Sequence, residues 1–177
     1  MDTNAHITLL AASYSSHDGA VQDFDAVWSA RHAGEFHHTA IAVLAKDATG
    51  HLQVRQNNNT AKHLTWGGAL LGGALFVLAP SEGIEMLAAV GPTGAGAIVG
   101  HLRHNSTPES LAHAAGVLEE GMSGLVALVV NRRGEVVTPL LEHAARSASV
   151  DMLWGDLEEE LCQDFARPLA ERVLIAS

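Results

Sequence analysis

A chain of 177 residues is the size of one domain and long enough to bury a core of its own. Apolar residues make up 47 % and charged residues 17 %, with a mean hydropathy of +0.14, which excludes intrinsic disorder and a highly charged coiled coil. Ten Lys and Arg against twenty Asp and Glu leave a net charge of −10, so the chain is a poor match for phosphate backbones and nucleic acid is excluded as a partner.

Residues 5–13 (AHITLLAAS) form a short apolar run that predicts a mostly buried strand. Ser15 stands three before Asp18 as a helix cap, and Val21, Phe24 and Trp28 then share one face of a helix of about four turns. Residues 38–46 (HTAIAVLAK) are extended and β-branched, Asp47-Ala48-Thr49-Gly50 carries turn chemistry, and residues 51–56 alternate Leu52 and Val54 with polar side chains. The pattern is a β-hairpin with one wet face.

After a polar break at 57–60, residues 64–100 are almost uncharged, interrupted only by Glu82 and Glu85. Small residues recur there at the four-residue spacing that lets helices approach backbone to backbone, at Gly68 and Gly72 and again at Gly96 and Gly100, with Trp66 at the mouth of the first arm. Pro80-Ser81-Glu82-Gly83 turns the chain, Ser81 caps the next helix, and Gly91-Pro92 breaks the return arm. A helical hairpin is expected.

Thr107-Pro108-Glu109 places a cap before a first-turn proline, Leu111, Ala115 and Leu118 supply an apolar face, and Gly121 ends the helix. Residues 125–130 (LVALVV) predict a central strand buried on both faces. Asn131-Arg132-Arg133-Gly134 turns the chain, and Thr138-Pro139 favours a helix over a return strand within 135–145. Residues 149–154 read as a last strand. Leu157, Leu161, Phe165 and Leu169 then line a terminal helix that is interrupted by Pro168 and acidic at Glu158, Glu159, Glu160 and Asp164.

This order predicts an α+β chain forming a single domain over 1–177, with 64–100 as a glycine-rich apolar helical insertion. The expected architecture is a ferredoxin-like sandwich, helices on one face of a mainly antiparallel sheet, with the glycine-rich helical hairpin between its two halves. Such a sheet leaves its second face to be covered by the insertion or by another subunit, so self-association is expected.

The hairpin ending in HLQVRQNNN, the arms TWGGALLGGALFVLAP and GPTGAGAIVG, and VLEEGMSGLVALVV together resemble the bacterial domain-of-unknown-function family 1269, often labelled predicted membrane proteins. The resemblance runs from Ile7 to the terminal helix and is most telling at the glycine arms and Glu120-Gly121-Met122-Ser123-Gly124. It implies a ferredoxin-like core and a stress or envelope connection, and it transfers no catalytic residues. The histidines and the approach at 57–63 depart from it.

Chemistry-bearing patterns are sparse. Cys162 can form no intramolecular disulfide and sits among carboxylates that raise a thiol pKa, and residues 1–15 lack the order of a secretory signal, which predicts a cytoplasmic location. No serine lies in a G-x-S-x-G elbow, and the glycine turns lack the lysine of a P-loop. Glu119-Glu120 and Glu142-His143 offer acid and base pairs, but exposed helix charges are the usual meaning of such pairs, and Trp28, Trp66 and Trp154 read as core or interface anchors. Among eleven histidines, His101 and His104 are three apart on the return arm and His63 stands at the entrance of the outgoing one, a three-histidine set for zinc or another transition metal or for a pH-sensitive contact.

The leading expectation is a noncatalytic, self-associating protein with an assembly or stress-linked binding role, its interface residues Gly68, Gly72, Gly96, Gly100 and Trp66. One alternative is a peripheral or re-entrant membrane protein, its arms too short to span about 30 Å without tilt or thinning. The other is a histidine-liganded metal or cofactor protein. The acidic terminal helix could recruit a basic partner.

Overall fold

The computed structural model describes residues 6–33, 39–58, 64–79, 95–130, 137–153, 155 and 157. Strands β1 (His6–Tyr14), β2 (Thr39–Lys46), β3 (Leu52–Asn58), β4 (Ser123–Val130) and β5 (Arg146–Leu153) form one sheet of order β3-β2-β4-β1-β5, every neighbouring pair antiparallel. The fold is α+β. β4 is buried along its whole length and β1 from Ile7 onward, because each has strands on both edges and helices on both faces. Leu10 of β1 pairs with Ala127 and with Ser149, and a slip of one residue would exchange the two faces of the sheet.

One face presents Ile7, Leu9, Ala40, Ala42, Val126 and Leu128 to Leu71, Leu75, Ile98, Leu102, Ala114 and Leu118. These last belong to helices α2 (Leu64–Leu78), α3 (Ala95–Asn105) and α4 (Pro108–Glu120). The opposite face presents Leu10, Ala12, Tyr14, Ile41, Val43 and Leu125 to Ala20, Phe24 and Val27 of helix α1 (His17–His32), with Val137 and Leu141 beside them. The expectation of helices on one face is therefore corrected. β1 and β4 are buried at almost every position, so both faces are covered, and the chain supplies both covers itself. The need for a second subunit over a bare sheet face falls with it.

Local signals set most boundaries. The cap of α1 is Ser16 and not Ser15: its backbone is extended and its Oγ accepts from Gly19 N at 3.2 Å. Thr107 Oγ1 accepts from Ser110 N at 3.2 Å at the start of α4, and Gly121 ends that helix. Glycine is required at 121, where a Cβ would lie 2.6 Å from Ser123 O and 2.9 Å from Tyr14 N. Asp47 nucleates the β2–β3 turn, its Oδ1 accepting from Thr49 N at 2.8 Å and His51 N at 3.1 Å, with Gly50 at φ +88°. The Thr49 hydroxyl, which donates to the same oxygen at 2.6 Å, and then these N–H groups hold its carboxyl below the usual range.

The helix expected within 135–145 is replaced, over the described part, by a 3-10 turn, Thr138–Leu140, followed by turns. Leu141 N still bonds Thr138 O at 3.0 Å, but Ala145 N bonds Ser13 O at 2.8 Å, which draws the chain onto the edge of β1 and starts β5 at Arg146. α2 and α3 pack against each other over the sheet. The turn at Pro80–Gly83, the break at Gly91-Pro92, Trp154, Cys162 and the terminal helix beyond Leu157 lie outside the described residues. Among the described residues no helix is long and apolar enough to cross a membrane.

Candidate functional site

On the sheet face opposite α1, helices α2, α3 and α4 leave an open groove of about 660 Å³. Val77 and Leu78 form one wall, Pro108, Leu111, Ala112 and Ala115 the other, and Arg103 and Glu119 carry opposite charges into its lining. Ala112 is exposed, and a Cβ added at Gly116, four residues on, would meet nothing within 4 Å. Small side chains at this spacing leave room for a second helix to approach closely. Lys46 Nζ donates to the Glu119 carbonyl, satisfying an end carbonyl of α4 at the negative pole of its dipole.

Of the expected interface residues, Gly72 is buried within the chain, whereas Gly100 is exposed and a Cβ there would meet nothing within 4 Å. Gly68 and Trp66 lie in α2 and Gly96 in α3, and their surroundings are outside the described residues.

Of the expected histidine set, His101 and His104 fall within the described residues. His101 is 6 % exposed, its Nε2 2.9 Å from Leu153 O and its Nδ1 3.1 Å from Asn105 Nδ2. A carbonyl opposite Nε2 requires the proton there, and the amide of Asn105 then donates to Nδ1, so both ring nitrogens are occupied in tying α3 to the end of β5. His104 is exposed, and His63 lies outside the described residues. Among the described residues no group of three His, Cys, Asp or Glu could hold a metal ion.

The sheet's other face holds a constellation that sequence reasoning missed. Asp23 of α1 is 1 % exposed, yet its carboxylate accepts from Tyr14 Oη at 3.0 Å, from His143 N at 3.1 Å and from His143 Nδ1 at 2.7 Å. The three bonds compensate for the burial of the carboxylate. The His143 side chain is 46 % exposed. A Cβ at Gly19 would come within 3.2 Å of His143 Cβ, 3.4 Å of Ser16 Oγ and 3.5 Å of Tyr14 Cδ1, so the absent side chain is what lets His143 seat against α1. Burial first, then the Asp23 charge and the hydrogen bond to it, pushes the Tyr14 hydroxyl well above its ordinary pKa.

The burial of Asp23 comes from the face that α1 turns inward. The buried residues of α1 are Gly19, Ala20, Asp23, Phe24, Val27 and Ala30, a face rotated from the one centred on Val21 and Trp28, and it places a carboxylate beside Phe24. His143 carried no signal in the sequence, because its partner is 120 positions away. Compared with protein-family models, curated proteins and solved structures, the chain matches none.

Proposed function

We propose that the chain is a self-associating α+β module of the cytoplasm, with an assembly or stress-linked binding role, in which a second copy docks on the α2–α3–α4 groove. The observation that carries this reading is the open apolar groove with Arg103 and Glu119 in its lining. In a two-fold contact each residue of a patch meets its complement on the other copy, so one patch bearing both signs can pair with itself. The small residues Ala112 and Gly116 would let the two α4 helices cross closely.

The reading takes the core as ferredoxin-like with a glycine-rich helical hairpin. Support comes from the order β5-β1-β4-β2, with β1 and β2 parallel about β4 and joined through α1, β3 being an added edge strand. A membrane-bound reading would seat the same helices against acyl chains.

Light scattering on detergent-free, clarified protein tests the proposal. A discrete multimer is expected, Ala112→Glu should return it to monomer with unchanged circular dichroism, and Arg103→Glu should weaken it about tenfold, since exposed ion pairs contribute about 0.2–1 kcal/mol each and the symmetry doubles them. Arg103→Glu combined with Glu119→Arg should restore the assembly. A monomeric wild type, or an Ala112→Glu variant of unchanged mass, would overturn the reading, and protein recovered only with detergent would favour the membrane alternative.

A further inference from the structure

We propose that Asp23 and His143 form an acid–base dyad that hydrolyses small, uncharged carboxylic esters, with His143 Nε2 as the base. The dyad lies on the face of the sheet opposite the groove, so this inference stands or falls independently of self-association.

Geometry assigns the roles. The Asp23 carboxylate accepts from both the backbone N and the Nδ1 of His143, at 3.1 and 2.7 Å, which fixes the ring at two points. With the proton held on Nδ1, the lone pair of the neutral imidazole is on Nε2, on a side chain that is half exposed. When Nε2 takes a proton, the buried carboxylate stabilises the imidazolium. Asp23 touches no substrate and is a positioning residue, itself held by Tyr14 Oη at 3.0 Å. Among the described residues, the titratable groups placed at the ring by hydrogen bonds or chain neighbourhood are Asp23 from α1, Tyr14 from β1 through Asp23, and the adjoining Glu142.

Charge selects the substrate class. The chain carries a net charge of −10, and Arg146, three residues beyond His143, is engaged by Glu120 at 2.7 Å, which leaves phosphate or carboxylate substrates poorly matched. An uncharged acyl group meets no such penalty.

In the step, Nε2 removes a proton from water as the water oxygen bonds to the acyl carbon and the carbonyl electrons move to oxygen. Collapse of that tetrahedral species breaks the bond to the alkoxide, which takes the proton from Nε2. The products are a carboxylic acid and an alcohol, and the imidazole is regenerated neutral.

The test is hydrolysis of 4-nitrophenyl acetate by the full chain. His143→Gln, at a half-exposed position, should keep the fold and lower the rate about tenfold or more. Added imidazole should restore part of the rate lost in His143→Ala. Asp23→Asn presents an amide N–H to Nδ1 and so moves the ring proton to Nε2; it should lower the rate and shift the midpoint of its pH profile. A His143→Gln variant as fast as wild type would assign the hydrolysis to the other histidines and overturn the proposal. A folded Asp23→Asn variant with an unshifted pH midpoint would overturn the positioning role of Asp23.

Discussion

Raising the pH isolates Tyr14, because it is the only tyrosine in the chain. In the unfolded chain its hydroxyl ionises near its ordinary value of about 10. In the folded protein, burial and then the facing Asp23 carboxylate hold the proton on well beyond that range. A folded pKa raised above the unfolded one contributes stability that is complete below the unfolded value and is lost as pH rises above it, because the unfolded state sheds the proton first. The loss is about 1.4 kcal/mol per pH unit above pH 10, hence about 3 kcal/mol by pH 12. Tyr14→Phe removes the 3.0 Å bond to Asp23 and should cost about 1 kcal/mol at neutral pH, while abolishing the alkaline slope. Denaturant unfolding of both proteins should therefore show the wild type more stable at neutral pH and the two curves crossing near pH 11, about one unit above the unfolded pKa. Every other alkaline group is common to the pair and cancels in the difference. Tyrosinate absorbance appearing near pH 10 with native circular dichroism intact, or parallel pH dependences for the two proteins, would refute the reasoning.

Two further outcomes follow from the backbone and the turn. Gly121→Ala forces a Cβ to 2.6 Å from Ser123 O and should destabilise by about 1–3 kcal/mol, whereas Gly100→Ala meets open space in a helix and should stabilise by about 0.5–1 kcal/mol; opposite shifts in denaturation midpoint are the check. The Asp47 carboxyl is depressed by the N–H and hydroxyl groups it accepts from, so its contribution is present above the ordinary carboxyl range and is lost as pH falls through the depressed folded value. Wild type should thus exceed Asp47→Asn in stability near neutral pH, with the difference closing in acid, as measured by unfolding at a series of pH values.

Local chemistry made several elements legible in the sequence. Thr107, Pro108 and Gly121 delimit α4 because a cap, a fixed φ and a close backbone approach each act within one turn. Asp47 and Gly50 mark the hairpin for the same reason, and the unbroken apolar run 125–130 marks a strand covered on both faces. Helices α2 and α3 lie in the glycine-rich stretch and pack against each other.

Only the tertiary structure decided which face of α1 turns inward, why residues 137–145 leave a helical path, and where His101 finds its partner. Helical periodicity tolerates a rotation of the buried stripe, and that rotation carried Asp23 inside. The Asp23–His143 and His101–Leu153 bonds join residues 120 and 52 positions apart, and a hydrogen bond between such distant groups leaves no period along the chain. Sequence determined the elements through interactions within a turn or a strand. The candidate site arose from packing α1 and the 137–145 segment on one sheet, where a buried carboxylate must find its donors wherever the fold brings them.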